Sequence, residues 1–192
     1  GGLDVAQVSD LTAFALACPG DDGSGDVLMR FWAPEATIAK NHAYAEYVNR
    51  GLITPTPGST TRFDFIREEI VRLASRYNIV EVGYDKWAAY QLAQELTDHG
   101  LAMKEMRQGF VSMSEPTKAF LRLVLDRRLR HDGNAVLRWN VDNFTIIQDA
   151  PGNVKPDKSK ASGKLDGAVA AIMAVGRAAL REGEFQGGIL VG

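Results

Sequence analysis

An α/β domain built on one mixed sheet is the architecture that three features of this chain predict. Consecutive strand-like runs come first, at residues 3–8, 11–18 and 27–32. Strand-like runs then alternate with helical patterns, above all the β-branched run 79–84 between two amphipathic stretches. A final apolar helix closes the order. Strands joined by tight turns pair antiparallel, strands separated by helices pair parallel, and both together make a mixed sheet. With 192 residues, 45% of them hydrophobic, the chain is long enough for one core and need not divide.

Residues 3–8 and 11–18 form one interrupted strand or two, joined at Ser9-Asp10. Gly2, Asp4 and Ala6 share one face there, Leu3 and Val5 the other. Residues 19–25 are turn chemistry, and their two acids lack the spacing of a calcium loop. Pro34 and Glu35 open a helix to about Asn49, stopped by Gly51. Leu52 and Ile53 make a short edge strand ended by Pro55 and Pro57. Asp64 caps a helix with the stripe Ile66, Ile70, Leu73, Ala74 and Tyr77. After the 79–84 strand, Ala89, Leu92, Ala93 and Leu96 form one side of a helix closed by Gly100.

Residues 101–106 give another strand. Ser114 and Pro116 start a third long helix, ending in Arg127, Arg128 and Arg130, which complement its C-terminus. His131-Asp132-Gly133-Asn134 is a turn, followed by strand-like pieces at 136–139 and 144–148. Pro151-Gly152-Asn153 leads into a polar stretch with Lys155, Lys158, Lys160 and Lys164. The last helix begins at Asp166 and carries Val169, Ile172, Met173 and Val175, and residues 182–192 read as a loose, Gly-rich tail.

Composition excludes several classes. A net charge of −2 provides no global basic field, so a nucleic acid would be held by local patches. Cys18 alone rules out an intrachain disulfide and a multi-cysteine zinc site, and fits a reducing cytoplasm. No apolar run approaches the roughly 18 residues of a membrane span. The chain starts directly on a strand without Met, as a fragment of a longer polypeptide would. His42, His99 and His131 lack metal-ligand spacing and read as surface or capping residues. Trp32, Trp87 and Trp139 read as packing.

Three acids stand out. Asp85 closes the buried 79–84 strand, and open α/β sheets place ligand chemistry at such carboxyl ends. The plainer alternative is that Asp85 caps the helix beginning near Trp87. Asp4 lies within the first strand. Asp166 opens the last helix, with Val169, Ala170 and Met173 three, four and seven residues on, so it leans toward the core side. Converging carboxylates repel and are costly to desolvate unless a cation joins them. A hard divalent ion such as Mg²⁺ or Mn²⁺ suits an all-oxygen set. Asp10 reads as a turn former, with a role beside the metal as the alternative.

The ordered motifs carry a resemblance. Gly2-Leu3-Asp4-Val5 with Ser9-Asp10-Leu11-Thr12-Ala13, Tyr84-Asp85, and Arg107-Gln108-Gly109-Phe110 with Met113-Ser114 come first. His131-Asp132-Gly133-Asn134 with Val136-Leu137-Arg138-Trp139, then Lys155-Pro156-Asp157-Lys158 and Gly163-Lys164-Leu165-Asp166-Gly167, continue the order to about residue 180. Together they resemble the nuclease domain of the large terminase subunit of tailed bacteriophages. The resemblance implies a ribonuclease H-like fold at residues 1–181, with a mixed central sheet flanked by helices. It also implies two-metal cleavage of concatemeric double-stranded viral DNA by Mg²⁺ or Mn²⁺ held on Asp4, Asp85 and Asp166. In the full-length protein it implies a packaging ATPase domain, a portal and a small terminase subunit as partners, in the host cytoplasm. No Gly-x-x-x-x-Gly-Lys-Ser/Thr loop occurs here, so the ATPase is absent from this chain.

Two rival functions remain open on sequence. One is a non-catalytic DNA-binding or motor-docking module whose acids are structural; the other is a junction-resolving nuclease of the same fold. Lys155, Lys158, Lys160 and Lys164 lead into Asp166 and are the DNA-contact candidates, with a solvated loop as the alternative.

Overall fold

The computed structural model describes residues 1–6, 10–157 and 164–186. Its main sheet contains β1 (Gly2–Asp4), β2 (Thr12–Pro19), β3 (Gly25–Pro34), β4 (Thr54–Thr56), β5 (Val82–Tyr84), β6 (Met103–Glu105) and β7 (Leu129–His131). The strand order is β4-β3-β2-β1-β5-β6, and β7 joins β3. β1, β2 and β3 pair antiparallel, as short turns require, whereas β5 and β6 pair parallel to β1 after helical crossovers. The ten-residue β3 receives β7 at its start and β4 at its end, both parallel.

Alternation along the strands divides the core. Ala13, Ala15, Met29 and Phe31 face one way, against α7 (Asp166–Gln186), α5 (Phe110–Leu125), α6 (Ala135–Asp142) and α2 (His42–Asn49). Leu3, Val5, Phe14, Leu16 and Trp32 face the other, against α3 (Phe63–Ala74) and α4 (Lys86–Asp98). Ile66, Ile70 and Leu73 of α3 and Ala89, Leu92, Ala93 and Leu96 of α4 are buried, as their spacing predicts. Among the described residues, no helix is long and apolar enough to cross a membrane.

Several boundaries differ from expectation for identifiable reasons. The expected helix 34–49 is two, α1 (Glu35–Ile38) and α2, because the Asn41 side chain caps the Ala43 and Tyr44 amides. The edge strand shifts onto 54–56 and includes Pro55, which an edge position tolerates. Asp64 does not cap α3; it lies in the first turn and binds the Arg62 guanidinium at 2.6 and 3.0 Å. The 79–84 run is strand only from Val82, and Val80 is exposed. α5 starts at Phe110 and runs through Pro116, whose ring seats over Gly176 of α7. That helix–helix contact outweighs the hydrogen bond a proline forfeits.

Residues 136–139 are helical rather than strand-like. Asn134 accepts from the Val136 and Leu137 amides, and tertiary burial of Val136 and Leu137 does the rest. A separate hairpin of β8 (Ile146–Gln148) and β9 (Val154–Pro156) takes up much of the expected polar stretch and packs on the start of α5. The arginine cluster clamps the β2–β3 turn instead of the α5 terminus: Arg128 reaches the Asp22 carbonyl, and Arg130 pairs with Asp26 at 2.7 Å. α7 continues through Gln186, so residues 182–186 are helix and not tail; residues 187–192 lie outside the described residues.

Candidate active site at the carboxyl edge of the sheet

β1 and β5 run side by side with Gly2 opposite Gly83 and Leu3 opposite Tyr84. The next register step brings Asp4 and Asp85 to the carboxyl ends of adjacent parallel strands. Asp4 is buried, 4% exposed, opposite Ala13 of β2. Asp85 is half-buried, and its Oδ1 accepts from the Trp87 amide at 3.2 Å. The capping role and the edge position are therefore both real: one carboxylate oxygen holds the helix, and the group stays at the crevice.

Asp166 reaches this edge from α7. The helix runs antiparallel to β1, with Gly1 beside Ala174 and Ala178 and Gly2 beside Ala170 and Ala174. A Cβ on Gly2 would fall 2.6 Å from the Ala174 nitrogen and closer still to the Ala170 carbonyl oxygen, so strand and helix backbones touch. Asp166 stands one turn ahead of Ala170 on the same side, toward the Asp4 end of the strand. Its start is fixed by the Gly167 amide, which donates to Asn140 Oδ1 at 2.7 Å, and by Phe31, whose ring abuts Gly167. One Asp166 oxygen is screened from solvent.

Two further groups belong to this neighbourhood. Asp10 accepts from the Leu11 amide at 2.8 Å and the Tyr44 hydroxyl at 3.4 Å, and pairs with Lys164. Tyr44 is fully buried, with its ring edge-on to Trp139. Burial first, then the charges of Asp10 and Asp166, push its phenol far above the ordinary value. The hydroxyl itself meets Asp10, and the charge of Asp166 is felt there as well. Asp10 therefore does more than form a turn, since it holds the Tyr44 hydroxyl and Lys164. Tyr44 had no signal beyond an apolar helix position.

The lysine candidates separate. Lys155 lies on β9, its Nζ 5.1 Å from the Phe110 ring centroid and 3.4 Å from the Gln108 carbonyl oxygen. Lys164 is committed to Asp10. Lys158 and Lys160 lie outside the described residues. Trp32 is buried and Trp139 half-buried against Tyr44 and Tyr47, as packing residues should be. Trp87 is the exception: it stands 87% exposed at the start of α4. His99 closes α4, its Nδ1 2.8 Å from the Glu95 carbonyl oxygen, in the capping role expected of it.

Among the described residues, no three His, Cys, Asp or Glu side chains close tightly enough around one point to hold an ion as they stand. The donor set itself fits a hard divalent cation, being all carboxylate oxygen delivered from separate rigid elements. Asp85 is engaged with its helix and Asp10 with Lys164, so binding an ion would re-aim both.

A mixed sheet in the order β3-β2-β1-β5-β6, acids at its parallel carboxyl ends and a helix bringing another acid across β1 define a ribonuclease H-like domain. A family model described as the terminase large subunit, endonuclease domain, matches residues 2–182, and the chain belongs to that family. The large terminase subunit of Enterobacteria phage HK97 is 35% identical over 92% of this chain. Its crystal structure superposes with a TM-score of 0.83 at 34% identity, over 92% of this chain and 38% of that one. YmfN of Escherichia coli K12 is 35% identical over 82% of the chain. The chain spans 36% and 37% of the lengths of these two relatives. The large terminase nuclease of thermophilic phage G20c, solved with bound magnesium, shares the fold at a TM-score of 0.59 and 14% identity, over 91% of this chain and 78% of that one.

Proposed function

We propose that this chain is a divalent-metal-dependent endonuclease domain that cuts concatemeric double-stranded viral DNA during packaging. The observation that carries the reading is the in-register placement of Asp4 and Asp85 at adjacent carboxyl ends, with α7, which begins at Asp166, in backbone contact with β1 at Gly2. Magnesium in the G20c nuclease, which has the same fold, supports the choice of metal. Asp4, Asp85 and Asp166 would hold Mg²⁺ or Mn²⁺, with Asp10 beside them. When bound, such ions would supply an activated water and positive charge for the phosphate and leaving oxygen.

The protein's own part is placement. Burial of Asp4 strengthens every charge interaction at the edge by lowering the local dielectric. The Trp87 amide and the Tyr44 hydroxyl orient Asp85 and Asp10 respectively. Lys164 offsets acidic charge before a metal arrives. The nuclease domain extends from residue 1 through the last helix, α7, and packaging ATPase activity, with the portal and small-subunit contacts, belongs to the rest of a longer protein acting in the host cytoplasm. Lys155, Lys158, Lys160 and Lys164 contribute phosphate contacts in this reading, with Lys164 released from Asp10 on metal binding.

The test is incubation of the purified chain with supercoiled and linear duplex in Mg²⁺ or Mn²⁺. Cleavage with little sequence preference, stopped by excess EDTA and without ATP turnover, is expected. Asp85→Asn should lower the rate on the order of a thousandfold, from the loss of several kcal/mol of charge stabilisation. Near wild-type cleavage by Asp85→Asn would reduce that residue to a helix cap.

A further inference from the structure

We infer that Trp87 and Tyr90, with Lys86 and Arg107, form a contact surface for duplex DNA beside the carboxylates. This rests on the nuclease reading and adds residues to it. Trp87 is 87% exposed and Tyr90 54%, and their three-residue spacing puts both on one face of α4. Large aromatic side chains are usually buried, so two together in water mark a contact surface. Helical side chains lean toward the helix N-terminus, which here is the carboxyl edge of the sheet. The Trp87 amide is itself 3.2 Å from Asp85 Oδ1, so the residue follows the acid directly at the start of the helix.

Charge selects the occupant. Lys86 meets Glu105 at 3.1 Å and Arg107 meets the same Glu105 at 3.6 Å, so two cations near the start of α4 share one carboxylate. Arg107 remains 83% exposed at its side chain and Lys86 51%. Exposed cations beside a bare indole suit a polyanion with apolar sugar and base edges better than they suit an apolar protein face. The cations would meet phosphates, and the indole and phenol rings would pack on sugars and base edges in the minor groove next to the cut.

The experiment uses a 30-base-pair duplex in Ca²⁺ under conditions where no product forms, with wild type, Trp87→Ala, Trp87→Phe and Lys86→Ala/Arg107→Ala. Trp87→Ala should weaken binding about tenfold with an unchanged salt slope, and Trp87→Phe should restore most of it. Lys86→Ala/Arg107→Ala should flatten the slope of log affinity against log salt by up to about 0.9 for each phosphate no longer neutralised. Acrylamide quenching of the exposed tryptophan should fall when duplex is added. Urea midpoints of all variants should match wild type, since these side chains pack on little. Wild-type duplex binding with no change in Trp87→Ala and no protection from quenching would overturn the surface while sparing the nuclease reading. Loss of self-association in Trp87→Ala with unchanged DNA binding would overturn it in favour of a protein face. Absence of any duplex binding by wild type would instead bring down the nuclease reading, and this surface with it.

Discussion

On one face of the sheet α7 lies against β1 so closely that Gly2 has no room for a Cβ, and Gly176 none beneath Pro116. On the other face α4 stands off on Leu92 and Leu96, packed against Leu3, Val5 and Phe14. The first contact sets Gly2 against the backbone at Ala170 and Ala174; the second adds large aliphatic and aromatic side chains to Ala89 and Ala93. Small residues let backbones approach and leave few alternative spacings, whereas large side chains can repack around a loss. The difference matters for chemistry. Asp166 is set relative to Asp4 by the tight face, so its position has little slack. Asp85 is set by its strand and its own cap, and depends less on how α4 packs.

Gly2→Ala should have the largest combined effect. The new methyl meets backbone atoms of α7, which cannot swing aside, so the loss should reach or exceed the upper end of the about 1–3 kcal/mol usual for overpacking. Metal-dependent cleavage per folded molecule should fall at least tenfold as Asp166 is displaced. Urea unfolding read beside cleavage of duplex checks both, and full activity in a destabilised protein would break the comparison.

Leu92→Ala, on the looser face, should cost about 2–5 kcal/mol by cavity formation. Cleavage per folded molecule should stay within a few-fold of wild type, because the Asp4–Asp166 relation is untouched. Parallel loss of activity would show that both faces position the site.

Tyr44→Phe deletes the hydroxyl that donates to Asp10 with little change in shape. Stability should move by about 1 kcal/mol or less, since the 3.4 Å hydrogen bond is long. Calorimetry of Mg²⁺ or Mn²⁺ binding should show a weaker affinity, and an unchanged isotherm would separate Tyr44 from the metal-holding acids.

The smallest effect concerns Glu69 on α3, well away from the acidic edge. Burial pushes its carboxyl up, but hydrogen bonds and charge from Arg72 and Arg30 outweigh that and hold it below its ordinary 4.5. A depressed carboxylate contributes stability above its unfolded pKa and loses it as pH falls through the folded value. Glu69→Gln should therefore lower stability at neutral pH by about 1 kcal/mol or less and narrow the gap to wild type below pH 4.5. Thermal midpoints across pH 3–7, an interval of about four units around that value, test the sign. A gap that widens in acid would contradict it.

Local pattern is enough for the α/β class, the antiparallel-then-parallel strand order, the buried stripes of α3, α4 and α7, and the family. Those rest on periodicity, on turn length and on short motifs, all of which act over a few residues. Other features needed contacts across the fold. Residues 136–139 carry Val, Leu and Trp and read as strand, yet Asn134 and burial against α7 make them helix. Pro116 looks like a helix start until Gly176 gives its ring a seat. Asp10 gains its partners only because Tyr44 comes in from α2 and Lys164 from the far end of the chain. Trp87 reads as core by composition and is left in solvent because α4 turns its other side, Ala89, Leu92, Ala93 and Leu96, to the sheet. The seat of Pro116 and the partners of Asp10 turn on residues distant in the chain, which no local pattern encodes.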